Sequence, residues 1–298
     1  MMKLAYISFL LCYFLLVNYS HVASDRPRPF KSNISIPALF VFGDSWVDNG
    51  NGKYLGNPNP SSAYGVDFKV DNQSRATNGK TMADFIARTF GMPCLPPFLS
   101  LKKSESIQFG ANYASRWVNC MDLDEQIMLF KSSVENSRNS FDLSKSLIFI
   151  NMGQNDMDLN KKLGPFSISQ EKPTTRCVER LNKLASQFNN YLPQMLEDLQ
   201  STLPGSNFVL LDVYKVFEDV FSEPSSYGIS DISHSCCAID SVKQIPICKN
   251  GEVCSNRNQY AFFDGIHPTE VMNSIMISRC LKESTICKPI NLMKLMMA

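Results

Sequence analysis

Few side chains in this sequence are suited to acid–base or nucleophilic chemistry, and their spacing narrows what that chemistry is. Only three histidines occur: His21, His234 and His267. His267 lies in Phe263-Asp264-Gly265-Ile266-His267-Pro268. An Asp three residues before a His, across a turn containing Gly, can accept the imidazole Nδ1–H. That fixes the tautomer and leaves Nε2 to take a proton. Pro268 restricts His267 to an extended conformation ahead of the next helix. A general base needs a nucleophile, and Ser45 in Gly43-Asp44-Ser45 is the candidate. Its hydroxyl is weakly nucleophilic until a base is placed beside it. Asn155, in Gly153-Gln154-Asn155-Asp156, carries an amide of the kind that stabilises a developing oxyanion. Each feature has a plainer reading in isolation. Asp264 can shape a turn, Asp44 or Ser45 can cap a helix, and Asn155 can be a turn residue. His234, in Ser-His-Ser-Cys-Cys, reads as a surface residue.

Other chemistries find little support. There is no His-Glu-x-x-His, no finger-like Cys/His spacing, no phosphate-cradling glycine loop and no Gly-x-Ser-x-Gly elbow. No metal and no cofactor are therefore expected. The formal net charge of +1, without a Lys/Arg run, argues against a nucleic-acid partner.

The elements that must position these residues alternate. Apolar runs at 37–42, 146–151 and 207–212 read as buried strands, and 107–109 as a short one. Helical spacing marks 81–90, 174–203 (with Pro193 inside), 213–221 and 269–283, whereas 50–79 and 224–258 read as loop. Such alternation implies an α/β fold with a mainly parallel sheet. Ligands in such sheets bind at the carboxyl ends of strands, where both Gly43-Asp44-Ser45 and Gly153 to Asp156 fall. No Pro/Gly/Ser linker divides the chain, so residues 25–298 are expected to form a single domain.

Residues 1–24 read as a secretory signal peptide: Lys3, an apolar stretch from Leu4 to Val17, then Val22-Ala23-Ser24. That stretch is too short to span a bilayer comfortably, and no later segment approaches a membrane span. Nine cysteines remain after cleavage, an odd number, so at least one lacks an intramolecular partner. Cys236 and Cys237, being neighbours, should each pair elsewhere, with Cys248 and Cys254 nearest, and Cys280 with Cys287. Asn33 and Asn72 head glycosylation sequons, which suits an extracellular protein.

The ordered set Phe42-Gly43-Asp44-Ser45, Gly153-Gln154-Asn155-Asp156 and Asp264-x-x-His267-Pro268-Thr269 resembles the GDSL esterase/lipase family, or SGNH hydrolases, in its secreted plant branch. Ser74-Arg75-Ala76-Thr77-Asn78-Gly79-Lys80-Thr81, Phe109-Gly110-Ala111-Asn112-Tyr113-Ala114-Ser115, Pro224 to Gly228 and Cys236-Cys237 extend the likeness. The resemblance implies a three-layer α/β/α, flavodoxin-like fold. It implies Ser45 as nucleophile, His267 as base and Asp264 as its orienting partner. Asn155 and the Ser45 N–H would be the oxyanion donors. A small-molecule or lipid ester would be the substrate.

Two departures from the family pattern stand out. After Ser115 the family has a glycine whose N–H serves the oxyanion; here Arg116-Trp117 follow, so the N–H of Arg116 or of Trp117 is the replacement donor, or their bulk fills the pocket. The family also places a helix and an apolar strand, ending Gly-Cys-x-Pro, before the helix that starts near Cys177. Here 18 residues, Leu159 to Arg176, separate Asp158 from Cys177. The sheet is expected to be one strand short, with 207–212 either pairing directly with 146–151 or leaving a gap. Cys177, whose family partner falls in the missing segment, is the expected orphan. The reading is a secreted serine esterase. A polysaccharide O-acetyl esterase, or a non-catalytic secreted binding protein, stays open as the alternative.

Overall fold

The apolar run after Pro37 becomes β1 (Leu39–Gly43), buried along its whole length. The computed structural model describes residues 35–57, 61–68, 75–102, 107–116, 119–136, 141–153, 179–240 and 245–297. β1 is the middle of a three-stranded parallel sheet, between β2 (Gly110–Asn112) and β3 (Leu147–Asn151). Leu39 stands opposite Gly110 on one side and Leu147 on the other.

Strand alternation sends β1 side chains to two different cores. Leu39 and Val41 join a core with α1 (Met82–Thr89), α4 (Val213–Ser222) and α5 (Glu270–Lys282). Ala38, Phe40 and Phe42 join a second core, covered by Ile127 and Phe130 of α2 (Leu123–Asn136). Helices thus cover both faces of the sheet, giving an α/β/α arrangement. Local sequence accounts for the helix starts. Thr81 and Asp84 form a reciprocal capping box at α1, and Thr269 caps α5. The helical spacing of Met272, Met276, Ile277, Cys280 and Leu281 turns one face of α5 inward.

Several sequence expectations need correction. The strand expected at 107–109 starts three residues later, at Gly110, and a turn closed by Gly110 N–H to Ile107 C=O precedes it. β3, expected from the run at 146–151 as a buried strand, is not buried on both faces: Ile148 and Ile150 are 48% and 57% exposed. They point to the face carrying α2, whose apolar side chains cover β1 and do not reach them. The run at 207–212 yields only β4 (Leu210–Leu211). It pairs antiparallel with β9 (Cys287–Lys288) rather than with β3. Among the described residues β3 therefore has no partner on its outer edge, and of the two expected outcomes the gap is the one observed. The long helical pattern forms α3 (Glu179–Thr202), continuous through Pro193, with Phe188, Tyr191 and Met195 exposed.

The stretch read as a cysteine-bearing loop holds three strands. β5 (Asp231–Ser235) pairs parallel with β8 (Tyr260–Phe262), and β6 (Cys237–Asp240) forms a hairpin with β7 (Ile245–Val253). Its polar composition masked them, since these strands are stapled rather than packed on both faces. Disulfides join Cys236 to Cys254, Cys237 to Cys248 and Cys280 to Cys287. Cys94 and Cys120 are free and exposed. Cys177, Asn33, Asn72, Asn155 and the leader at 1–24 lie outside the described residues. The chain ends in a short helix, α6 (Leu292–Leu295). No helix among the described residues is long and apolar enough to cross a membrane.

Candidate active site

Ser45 leaves the carboxyl end of β1 in a tight turn. Gly43 makes that turn possible: its φ is +147°, and a side chain there would collide with the Asn151 carbonyl of β3. The Asp44 N–H then donates to that same carbonyl at 3.2 Å, and the Asp44 C=O accepts from Val47 and Asp48. Gln126 of α2, fully buried, clamps the Gly43 peptide from behind. Its Oε1 accepts the Gly43 N–H at 2.9 Å, and its Nε2 donates to the Gly43 and Met121 carbonyls, each at 3.0 Å. Replacing Gln126 by Leu removes the acceptor of the Gly43 N–H in a dry place, while the Gly43 and Met121 carbonyls keep Ser115 N–H and Ser115 Oγ as donors. The expected cost is about 1–3 kcal/mol for an N–H that finds no water. Thermal unfolding measures it, and a Tm equal to the parent's would refute the clamp.

His267 is delivered from the other end of the chain. Phe263 N–H donates to the His267 carbonyl at 2.8 Å, closing the Asp264–Ile266 turn, and Thr269 then starts α5. Asp264 Oδ1 accepts the N–H groups of Ile266 and His267 at 2.9 and 2.7 Å. His267 Nδ1 lies 2.7 Å from Asp264 Oδ2, and Nε2 lies 2.8 Å from Ser45 Oγ. Ser45, His267 and Asp264, spread over more than 200 positions of sequence, thus form one hydrogen-bonded line. Burial pushes the Asp264 carboxyl up. The His267 charge and the hydrogen bonds from His267, Tyr64 and Ile266 outweigh it and hold Asp264 below the ordinary carboxylate range.

A depressed carboxyl stabilises the fold above its unfolded pKa of about 3.9, and loses that contribution as pH falls through the folded value. Acid unfolding followed by circular dichroism should therefore begin at higher pH in Asp264→Asn than in the parent, since that variant lacks the stabilising ion. Coincident acid limbs would contradict this.

A second Asp-His contact, which the sequence reading did not single out, forms at His234. His234 Nδ1 sits 3.0 Å from Asp231 Oδ2, but the His234 side chain is 80% exposed, in keeping with a surface residue.

Arg116 lies just beyond the β2 end, where Ser115 N–H donates to the Gly43 carbonyl at 3.2 Å. Its side chain turns inward and is 3% exposed, with Nε 4.0 Å from Asp48 Oδ2 and the guanidinium 5.2 Å over the Tyr64 ring. Burial pulls the Arg116 pKa down to about 10 against the attraction of Asp48, Tyr64 and Asp264. Burial likewise raises Asp48, against Arg116 and the N–H groups of Gly50, Asn51 and Gly52. For both partners desolvation outweighs their mutual attraction. Trp117 and Asn155 lie outside the described residues.

Sequence reasoning missed the supports. Asn51 Nδ2 donates to the Asn112 and Ala114 carbonyls at 2.7 and 2.8 Å, and Asn112 Nδ2 to the Val47 carbonyl at 2.7 Å. These bonds strap the loop after β1 to the loop after β2. Tyr64, also missed, donates its hydroxyl to Asp264. An aromatic inside a Gly/Asn/Pro/Ser-rich loop was the one available signal. Gln126 carried none. Among the described residues no three His, Cys, Asp or Glu gather as metal ligands would.

The comparisons with known proteins agree with this arrangement. The family described as GDSL-like Lipase/Acylhydrolase matches residues 39–176 and 158–280. The GDSL esterase/lipase At1g71691 of Arabidopsis thaliana is 30% identical over 334 residues, covering 87% of this chain and 85% of its own. GDSL esterase/lipase 7 of the same plant is 30% identical over 325 residues, covering 83% and 88%. Both alignments are longer than the 298-residue chain itself, so these relatives carry segments that this chain lacks. Two-part family coverage and these similarities lead to one conclusion: the chain belongs to the GDSL-like lipase/acylhydrolase family of ester hydrolases.

Proposed function

We propose that this protein is a secreted serine esterase that cleaves carboxylic esters through an acyl-enzyme. The observation that carries the reading is the Ser45–His267–Asp264 line, with Nε2 of the base 2.8 Å from the hydroxyl it must deprotonate. Ser45 Oγ attacks the ester carbonyl as His267 Nε2 takes its proton. Asp264 keeps Nδ1–H oriented and steadies the imidazolium. The carbonyl oxygen becomes an oxyanion, held by the Ser45 N–H, by Asn155 and by the Arg116 N–H. Collapse expels the alcohol, which takes the proton from His267, and leaves the acyl group on Ser45. Water, deprotonated by His267, then attacks that acyl group; the acid is released as His267 returns the proton to Ser45 Oγ. Nothing in these steps requires a metal or cofactor. The substrate is a small-molecule or lipid ester.

A fluorophosphonate probe tests this directly. It should label the intact protein at Ser45, located by peptide mapping, and labelling should vanish in His267→Ala. Labelling at another serine, or none, would refute the reading. Secretion is part of the same proposal and is supported by the three disulfides, which form in oxidising compartments. Expressed in a eukaryotic host, the chain should reach the medium cut near Ser24, with sugar on Asn33 or Asn72. Retention in the cytosol with Met1 intact would refute it.

A further inference from the structure

The Asp264 carboxylate receives one donor that the Ser-His-Asp scheme does not use. Oδ2 accepts His267 Nδ1–H at 2.7 Å and also the Tyr64 hydroxyl at 2.6 Å. Tyr64 reaches it from a loop 200 positions earlier in the chain, and is 4% exposed. The same hydroxyl oxygen accepts the Cys248 N–H at 3.0 Å. Cys248 is on β7 and is joined to Cys237 on β6 by a disulfide. The Tyr64 ring packs edge-on against Phe263, the residue before Asp264, with centroids 5.6 Å apart. An unbroken path of bonds and contacts thus runs from the disulfide hairpin through Tyr64 to the carboxylate that orients His267.

We propose that Tyr64 is a positioning residue for the ester-cleaving site, fixing Asp264 by its hydroxyl and tying it to the Cys237–Cys248 hairpin. This inference rests on the triad reading above. Burial and the neighbouring Asp264 charge keep the phenol protonated well past its ordinary range, so it stays a donor throughout the working pH range. The groups facing Asp264 are His267 from its own turn, Tyr64 from the 61–68 loop and Arg116 from the loop after β2, with Asp48 beyond Arg116. Of these, Tyr64 can be altered without removing a charge. Its bond stabilises the ionised carboxylate, so its loss lets Asp264 protonate at higher pH. A carboxylate with one hydrogen-bond donor fewer also keeps more of its charge for His267, which favours the imidazolium, so the base is lost to protonation sooner on the acid side.

The test is the acid limb of kcat/KM for a short p-nitrophenyl ester, with Ser45→Ala as the background. Tyr64→Phe should move that limb up by about one pH unit, and lower kcat about tenfold with KM little changed. Placing 3-fluorotyrosine at position 64 keeps the ring and supplies a more acidic phenol, so the limb should move down. A purely structural Tyr64 would lower Tm without these opposed shifts, and parental limbs in both proteins overturn the proposal. The pair Cys237→Ala/Cys248→Ala should shift the limb up, as Tyr64→Phe does; an unmoved limb overturns the link to the hairpin. If the parent is no faster than Ser45→Ala, the esterase reading itself has failed and the inference falls with it. If the parent is fast and only the shifts are missing, the inference alone has failed.

Discussion

Replacing Ser45 by Ala should lower kcat for ester hydrolysis by roughly 10⁴-fold or more, and His267→Ala should cost a similar factor. The double variant should be scarcely worse than either single one. The reason is geometric: with Nε2 2.8 Å from Oγ, the two side chains perform one proton transfer, so removing either abolishes the same step. Residual rate would then come from substrate binding and from whichever oxyanion donors remain. Steady-state kinetics of the three variants on one ester is the measurement. Losses that add in the logarithm would mean that Ser45 and His267 act separately. A Ser45→Ala protein as fast as the parent would end the triad reading and restore the non-catalytic alternative.

The largest effect on stability is expected from Phe40→Ala, at about 3–5 kcal/mol. Phe40 is fully buried, and its ring meets Phe130 and Phe141 edge-on at 5.0 and 5.1 Å. With Phe42 it packs the sheet against Phe130 of α2, and α2 carries the Gln126 that clamps Gly43. A cavity there should therefore loosen the turn that presents Ser45 as well as weaken the fold. Denaturant titration reads the weakening of the fold, and the temperature at which activity is lost reads the loosening of the turn. A stability loss under about 1 kcal/mol would mean that the α2 face refills the space, contrary to the dense packing expected.

Much of the protein was legible in its sequence, for identifiable reasons. β1 could be read because a strand buried on both faces must be apolar throughout, and 38–42 is. Helices α1 and α5 could be read because caps and periodicity are local, as Thr81 with Asp84 and Thr269 show. That Cys236 and Cys237 would pair with Cys248 and Cys254 followed from chain proximity, since neighbours were not expected to bridge; which pairs with which only the structure decided. The candidate site residues were legible because Ser, His and Asp are chemically distinctive and each stands beside a Gly or Pro that shapes its turn.

What remained hidden depends on pairing between distant segments. Strands β5 to β7 are polar and draw their stability from disulfides and from each other, so no periodicity marked them. The run at 207–212 was apolar enough for a central strand, yet its Leu210–Leu211 pairs with β9, a partner some 75 positions away that no local pattern marks. Ile148 and Ile150 look as buried as Phe40 in sequence, yet the core that α2 forms over Phe40 does not include them and they are exposed. Asp231-x-x-His234 and Asp264-x-x-His267 have the same spacing, and both close the same Nδ1-to-carboxylate contact. The sequence by itself determined those two local turns, because three residues suffice to build each. Only the tertiary structure decided that one histidine is buried against Ser45 while the other faces solvent. Meeting Ser45 requires β1, β8 and α5 to converge from opposite ends of the chain, and that convergence is set by how the cores pack, not by any short run of residues.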